Sequence, residues 1–424
     1  MSGATTDDMS SQRRFMDISS IPTCLVESYQ DVMQSFAPSV LDRTVITTEG
    51  GDRSMMMPID SCQPANLALW SLASTFPYGV VSIDAMMEYY SLAVLFFSTK
   101  GPQTWFTHAG WVENLILCDN WNGVRCNNRT SVTELTIINN NLQGSIPTEI
   151  GLLTNLELLR LQGNVLTGPL PSTLGELTHL TTLNLGANYI TGSLPSEMAR
   201  LTNMNYLVVQ ENKLSGAVTE ILQSMKQLVH FLAKTNFFTG PLPDGMVVCV
   251  HLERLDISSN NFSGTLPTEL GDSSGLVQLS IENNNLSGAT IPSELGRLSN
   301  LAYLSLSQTE MGGGIPTEIG NLSALRGFHI SGNNIESTIP TQVGNMIALE
   351  YFEIELNRIT GTLPSELGRI TDLIGLKVGY NRLDGSLPSE IGNLKRLDVL
   401  DVKGNSFSGI IATEICQLND FELS

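Results

Sequence analysis

Apolar and polar positions repeat along this chain with a period of 24 residues. The pattern is L-x-x-L-x-L-x-x-N-x-L-x-G-x-I-P-x-x-L-G-x-L-x-x, and it runs from Val132 to Asp420 in eleven copies of 24 residues and one of 25. A fixed period of this length predicts a repeat architecture. The copies begin at Val132, Leu156, Leu180, Met204, Leu228, Leu252, Leu276, Leu301, Leu325, Leu349, Leu373 and Leu397.

Each repeat is predicted to hold one short strand followed by a turn. In the tenth copy, Phe352 and Ile354 alternate with polar residues, which is typical of a strand with one buried face. Asn357 follows where the chain turns inward. A buried Asn offers two donors and an acceptor, so a column of such residues can satisfy the backbone groups that each turn exposes.

The second half of the repeat predicts a bend and a short helix. Gly361 permits the bend, and Pro364 sets the direction of the chain after it. Ser365 suits a helix N-cap, and the Glu that follows suits the positive end of the helix. We interpret these acids as capping residues rather than as ligands. They are Glu149, Glu197, Glu269, Glu294, Glu318, Glu366, Glu390 and Glu414.

One repeat cannot bury its own leucines, so the repeats must stack and their twelve strands must form one parallel sheet. The pattern resembles that of the plant-type leucine-rich repeat family, including receptor-like proteins and polygalacturonase-inhibitor-like proteins. This resemblance implies an α/β fold: a curved, right-handed solenoid with a parallel sheet on its concave face, short helices or turns on its convex face and a helical N-terminal cap.

The segment before the first repeat resembles the N-terminal cap of the same family. It contains a predicted amphipathic helix around Asp84 to Thr99, followed by the W-x-G-V-x-C sequence that ends at Cys126. The resemblance implies a disulfide between Cys118 and Cys126. A metal site would need about four ligands, and no second cysteine pair or neighbouring His supplies them.

The sequence therefore predicts five segments. Residues 1–17 are expected to be disordered, 18–83 to form a helical extension, and 84–131 to form the cap. Residues 132–420 hold the twelve repeats, and 421–424 are interpreted as a truncated C-terminal end. Whether Cys24 pairs with Cys62 stays open.

Composition excludes several classes of protein. Asp and Glu number 42 against 22 Lys and Arg, so the net charge of −20 argues against nucleic acid as a partner. No apolar run reaches the roughly 18 to 20 residues of a transmembrane helix, and no signal peptide is visible.

The sequence features that indicate the cellular compartment conflict with one another. Sequons occur at Asn128, Asn261, Asn285 and Asn321. Together with the paired cysteines they favour an extracellular or plasma-membrane-associated protein. The absent signal peptide favours the cytoplasmic alternative.

No catalytic signature is present, and we expect neither an enzyme nor a cofactor or metal. His230 and His329 lie four strands apart, roughly 19 Å, so they cannot share a metal. Glu353 and Glu355 project from one strand at about the separation of glycosidase carboxylates. Since adjacent strands place His329 and Lys377 beside them, charge pairing across strands is the simpler interpretation.

Surface recognition remains the favoured function. The predicted ligand is a protein, peptide or glycan on the concave face, with a co-receptor as a further partner; an intracellular scaffold for proteins is the alternative. Aromatic and charged residues of the middle repeats are the candidate binding residues. These are Tyr206, His230, Arg254, Asp256, Gln278, Glu282, Tyr303, His329, Tyr351, Glu353 and Glu355.

Two adjacent repeats depart from the pattern. The seventh copy carries an extra residue, and the eighth has Thr309 at the Asn position. Because Thr has a single donor, we expect a turn amide to lose its partner there, at about 1 to 3 kcal/mol.

Overall fold

The chain divides into two compact units, residues 1–177 and 178–424. The computed structural model describes residues 83–112, 117–118, 120–127, 131–242 and 251–416, with the single positions 64, 67, 68, 71, 418, 422 and 423. The predictions for residues 1–17, for most of 18–83 and for the pairing of Cys24 with Cys62 fall outside the described residues, as does the sequon at Asn128.

The first unit begins with the helix Ile83–Ser98, close to the predicted bounds, and the short helix Gly101–Thr104 follows it. The second half of the helix is not amphipathic as predicted, because every residue from Ser91 to Phe96 is buried. Phe96 packs with its ring centroid 5.0 Å from that of Trp105 and 5.8 Å from that of Trp111.

A carboxylate of the cap binds the backbone of the strand of the first repeat. The strand Ser131–Thr136 pairs antiparallel with Val124–Asn127 and parallel with Leu158–Arg160. The Val132 N–H donates to both carboxylate oxygens of Glu88, each at 3.2 Å. Glu88 is only 4% exposed, and burial raises its pKa. A disulfide joins Cys118 to Cys126, as the resemblance implied.

The second unit holds a parallel sheet with one strand per repeat, as predicted. Among its described residues, eleven strands lie in chain order: ten from the third to the twelfth repeat and one more in the segment 421–424 that follows the repeats. They are Thr182–Asn184, Tyr206–Val208, His230–Leu232, Arg254–Asp256, Gln278–Ser280, Tyr303–Ser305, Gly327–His329, Tyr351–Glu353, Gly375–Lys377, Val399–Asp401 and Glu422–Leu423.

Further strands after the turns form a second set of pairs. In the first unit these are Gln143–Gly144 and Val165–Pro169. In the second unit they are Tyr189–Ser193, Lys213–Gly216, Phe237–Pro241, Asn261–Ser263, Thr360–Gly361 and Arg382–Leu383.

Single 3₁₀ turns complete most repeats, with a short α-helix in two of them. The 3₁₀ turns are Thr148–Leu152, Ser172–Glu176, Ser196–Arg200, Thr268–Asp272, Ser293–Arg297, Thr317–Asn321, Thr341–Asn345, Ser365–Arg369 and Ser389–Asn393. The α-helices are Thr219–Ser224 and Thr413–Cys416.

The predicted Ser and Thr N-caps are wrong. The N-cap of each described 3₁₀ turn is the preceding proline, for example Pro316, whose backbone is extended at φ −65° and ψ 144°. Its carbonyl accepts the Ile319 N–H at 3.2 Å, which closes the turn. Thr317 is thus already inside the turn, and its hydroxyl donates to the Glu318 carboxylate at 3.1 Å.

The buried Asn column is confirmed. In the tenth repeat, Nδ2 of Asn357 donates to the carbonyls of Ile330 at 2.9 Å and Ile354 at 3.1 Å. Its Oδ1 accepts the N–H of Ile335 at 3.0 Å. Each such residue therefore joins its own turn to the turn of the repeat before it.

Thr309 does not leave a turn amide without a partner, so that prediction is wrong. The amide that an Asn would have bound belongs to Leu286, and its N–H donates to the backbone carbonyl of Thr309 at 2.9 Å. The hydroxyl of Thr309 donates to the Leu306 carbonyl at 2.8 Å. The backbone thus replaces the missing amide side chain.

One feature of the turns is invisible in the repeat pattern. The residue before the Asn or Thr of the column has a positive φ, between 51° and 70°, in all twelve repeats. Only Gly163, Gly332 and Gly404 are glycines at this position. Elsewhere the left-handed conformation costs a non-glycine residue roughly 1 to 2 kcal/mol, so stacking overrides the local preference.

Candidate functional site

The eleven candidate binding residues lie on one face of the sheet of the second unit, which we call the outward face. Parallel pairing aligns the first residues of the strands: Tyr206 with His230, Arg254, Gln278 and Tyr303. Glycine and tyrosine then alternate at this position through Gly327, Tyr351 and Gly375. The third residues form a parallel column that contains Asp256, His329 and Glu353, while Glu282 and Glu355 follow the strand ends.

The third-residue column carries a charge network across three strands. Oε2 of Glu353 lies 2.8 Å from Nδ1 of His329, and its Oε1 lies 2.8 Å from Nζ of Lys377. The hydrogen bond from His329, with the help of Lys377, lowers the pKa of Glu353 to about 2. The cross-strand charge pairing expected from the sequence is therefore present.

Two tyrosines lie across the glycines of the neighbouring strands. A Cβ atom added at Gly327 would lie 2.9 Å from Cδ2 of Tyr303, and one added at Gly375 would lie 3.1 Å from Cδ1 of Tyr351. The rings remain 37% and 40% exposed. The Tyr303 ring also lies 4.9 Å from the His329 ring, between centroids. A side chain at Gly327 would displace the rings of His329 and Tyr303, and one at Gly375 would push the Tyr351 ring aside by a few tenths of an ångström.

A second group of candidate residues surrounds Tyr206. Its ring packs edge to face on the ring of His230, with 5.0 Å between centroids. Nε2 of His230 lies 3.7 Å from the Glu253 carboxylate. Burial, and secondarily the charge of Arg254, lower the pKa of His230. The candidates thus form two clusters, one around Tyr206 and one that extends from Tyr303 to Glu355.

Carboxylates of the two preceding repeats lie near Tyr303. Oε2 of Glu282 accepts the hydroxyl of Ser305 at 2.6 Å, and Asp256 accepts that of Ser258 at 2.6 Å. Burial, followed by the charge of Glu282, raises the pKa of Tyr303. This part of the outward face therefore combines aromatic surface with negative charge.

The geometry does not suit acid catalysis by Glu353. A glycosidase needs one carboxylic acid that is protonated near neutral pH. His329 and Lys377 hold Glu353 ionised instead. In the part of the chain that the structure describes, no group of three or more His, Cys, Asp or Glu is arranged to hold a metal ion.

The charge network makes a pH dependence testable. Because folding lowers the pKa of Glu353 from 4.5 to about 2, its contribution to stability is present above about pH 4.5 and is lost as the pH falls toward 2. We expect Glu353→Gln to lower the melting temperature at pH 7, and this difference to shrink between pH 4.5 and pH 2. Thermal unfolding followed by circular dichroism measures it.

The control for this experiment is Glu318→Gln, in an exposed 3₁₀ turn. It should leave the melting temperature nearly unchanged at both pH values. A difference between wild type and Glu353→Gln that stays constant from pH 7 to pH 2 would contradict the assignment.

Three sequons are accessible. Asn261, Asn285 and Asn321 are all exposed, the first in a short strand of the second set and the last at the end of a 3₁₀ turn. Glycosylation at these sites stays a prediction.

Sequence reasoning missed two residues beside the outward face. Leu356 and Tyr380 precede the column residues of adjacent repeats and are 54% and 51% exposed. Their φ values of 57° and 51° place both in the left-handed region. The signal available in the sequence was a large apolar residue at a position where other repeats carry Gly, Ala or a polar residue.

None of the described helices combines the length and the apolar character needed to cross a membrane. The Leucine Rich Repeat family model matches residues 155–177, 179–201 and 251–273. No curated protein matches the chain.

Solved structures share the fold. The plant peptide hormone receptor RGFR1 in complex with RGF2 is 29% identical over 72% of this chain and 60% of its own, with a TM-score of 0.61. PEPR1–AtPEP1 is 30% identical over 74% and 48% of the two chains, with a TM-score of 0.65. The Arabidopsis receptor kinase HAESA ectodomain, in complex with an IDA peptide hormone ligand, is 31% identical over 65% and 50%, with a TM-score of 0.56.

This chain spans about half to three fifths of the length of those structures. The leucine-rich repeats and the solenoid fold inferred from the sequence are confirmed.

Proposed function

We propose that this leucine-rich repeat protein is a non-enzymatic recognition module that binds a peptide on the outward face of its second unit. The observation that carries the proposal is the pair Tyr303 and Tyr351, each half exposed and each lying across a glycine of the next strand. Tyrosines held in this way offer a large contact area with little side-chain freedom to lose.

Similar structures support a peptide as the ligand. RGFR1 is a peptide hormone receptor, and the HAESA ectodomain was solved with a peptide hormone. Both share the repeat with this chain, so an outward face of the same construction is available here for a ligand.

We also propose an extracellular site of action. The disulfide between Cys118 and Cys126 and the exposed sequons at Asn261, Asn285 and Asn321 suit the secretory pathway. Non-reducing peptide mapping of protein from its native source should find the disulfide intact and glycan on at least one sequon. Free thiols together with bare asparagines would instead support the intracellular scaffold.

A random dodecapeptide library displayed on phage and selected on the immobilised full chain tests the binding function. We expect selected peptides, once synthesised, to bind the wild-type protein and to lose more than about 2 kcal/mol, or roughly 30-fold in Kd, with Tyr303→Ala plus Tyr351→Ala. Fluorescence polarisation with labelled peptide gives the Kd values.

Tyr189→Ala is the matched control, because Tyr189 is 50% exposed but belongs to a short strand of the second set. It should leave the Kd unchanged. If Tyr189→Ala abolished binding while the double variant retained it, the outward face would not be the site.

A further inference from the structure

Leu356 and Tyr380 form a small surface that we call the apolar rim. They occupy the same position in adjacent repeats, and the Leu356 N–H donates to the carbonyl of Gly379 at 3.0 Å. Both side chains are more than half exposed. The equivalent position holds glycine at Gly332 and Gly404.

The rim is apolar and largely exposed in the protein alone. No other repeat places a large apolar side chain at this position. The Tyr380 ring lies across Gly404, yet 51% of Tyr380 and 54% of Leu356 stay in contact with solvent. A ligand that covers the rim would therefore bury apolar surface.

A carboxylate lies next to the rim and lacks a donor. Oε2 of Glu355 is buried, and no described residue lies within hydrogen-bonding distance of it. The nearby lysines are already engaged: Lys377 pairs with Glu353 at 2.8 Å, and Lys403 pairs with Asp401 at 2.9 Å. Glu355 as a whole is half-buried, so its carboxylate can attract a cation supplied by a ligand.

We propose that the apolar rim and Glu355 together dock a ligand segment that carries an apolar side chain within two positions of an Arg or Lys. The apolar group covers Leu356 and Tyr380, and the cationic group pairs with the carboxylate of Glu355. This inference rests on the proposed peptide-binding function and specifies the chemistry of the ligand.

Charge complementarity selects a cationic rather than an anionic segment. Among the described residues of this part of the outward face, Glu353, Glu355 and Asp401 outnumber Lys377 and Lys403, and both lysines are paired. An acidic segment would approach an uncompensated carboxylate, and like charges repel.

The test uses the peptides selected from the same dodecapeptide library. We expect them to be enriched in an apolar residue within two positions of Arg or Lys. Leu356→Gly plus Tyr380→Gly should weaken their binding at least tenfold, and Glu355→Gln at least fivefold. The two introduced glycines suit the left-handed backbone. Thermal unfolding of the double glycine variant should therefore show a melting temperature no lower than that of the wild type.

Two controls test whether the loss of binding is specific to the rim and Glu355. Gln308→Gly removes an exposed side chain from the same left-handed position of another repeat, and Glu318→Gln removes a carboxylate from a 3₁₀ turn. Neither should change the Kd.

The outcomes also distinguish this inference from the proposed function. Peptides that lose affinity with Tyr303→Ala plus Tyr351→Ala but not with the rim variants would overturn the rim proposal and leave the binding function standing. Selection of acidic peptides would overturn it as well. If no peptide binds the wild-type chain, both proposals fail.

Discussion

Trp111→Ala is expected to lower the free energy of unfolding of the first unit by about 3 to 5 kcal/mol. The indole is 1% exposed, and its ring lies 4.8 Å from those of both Trp105 and Trp121, between centroids. Its Nε1 donates to the carbonyl of Asn122 at 2.9 Å. The substitution therefore leaves a large cavity and an unpaired carbonyl in the cap.

Hydrogen–deuterium exchange is the appropriate measurement, because a repeat protein need not unfold in one step. Amides of the helix Ile83–Ser98 should exchange at least 100-fold faster in the variant. Phe106→Ala is the matched control, since Phe106 lies in the same loop but is 73% exposed. Equal effects of the two substitutions would show that the tryptophan cluster does not hold the cap.

Asn357→Ala should destabilise its part of the solenoid by about 3 kcal/mol. The change removes the hydrogen bonds of the amide side chain and leaves the carbonyls of Ile330 and Ile354 and the N–H of Ile335 without the side chain that pairs them. Leaving a buried polar group unpaired costs roughly 1 to 3 kcal/mol, and water can recover part of the loss.

The Ile335 amide reports this loss directly, with an expected increase in exchange rate of about 100-fold. Asn334→Ala is the control. Asn334 follows Asn333 of the buried column but is itself exposed, and its side-chain amide donates only across the surface, to the carbonyl of Glu310 at 3.3 Å. Unchanged protection of Ile335 in Asn357→Ala would mean that strand pairing alone holds the repeats together.

Two periods in the sequence predict much of the candidate site. The period of 24 aligns equivalent positions of successive repeats, and the period of 2 within a strand selects one face. Together they place Tyr303, Tyr351 and Glu353 on the outward face and bring His329 and Lys377 to Glu353, as observed. They do not reveal that the tyrosine rings lie across Gly327 and Gly375, because ring orientation depends on the neighbouring strand.

Neither period predicts the apolar rim. The repeat pattern assigns no residue type to the positions of Leu356 and Tyr380, and a free chain would rarely adopt their φ values. The backbone bonds of the neighbouring repeats impose that conformation.

The sequence by itself determined the solenoid, the positions of its strands, the buried Asn column and, by resemblance, the disulfide of the cap. These features follow from spacing and residue type, which are properties of the chain alone. Only the tertiary structure decided that the Thr309 carbonyl replaces an Asn side chain, that Glu88 binds the Val132 amide and that the second half of the cap helix is buried on every side. Each of these depends on which groups meet in space after folding, because a buried donor or apolar surface takes whichever partner packing brings within reach.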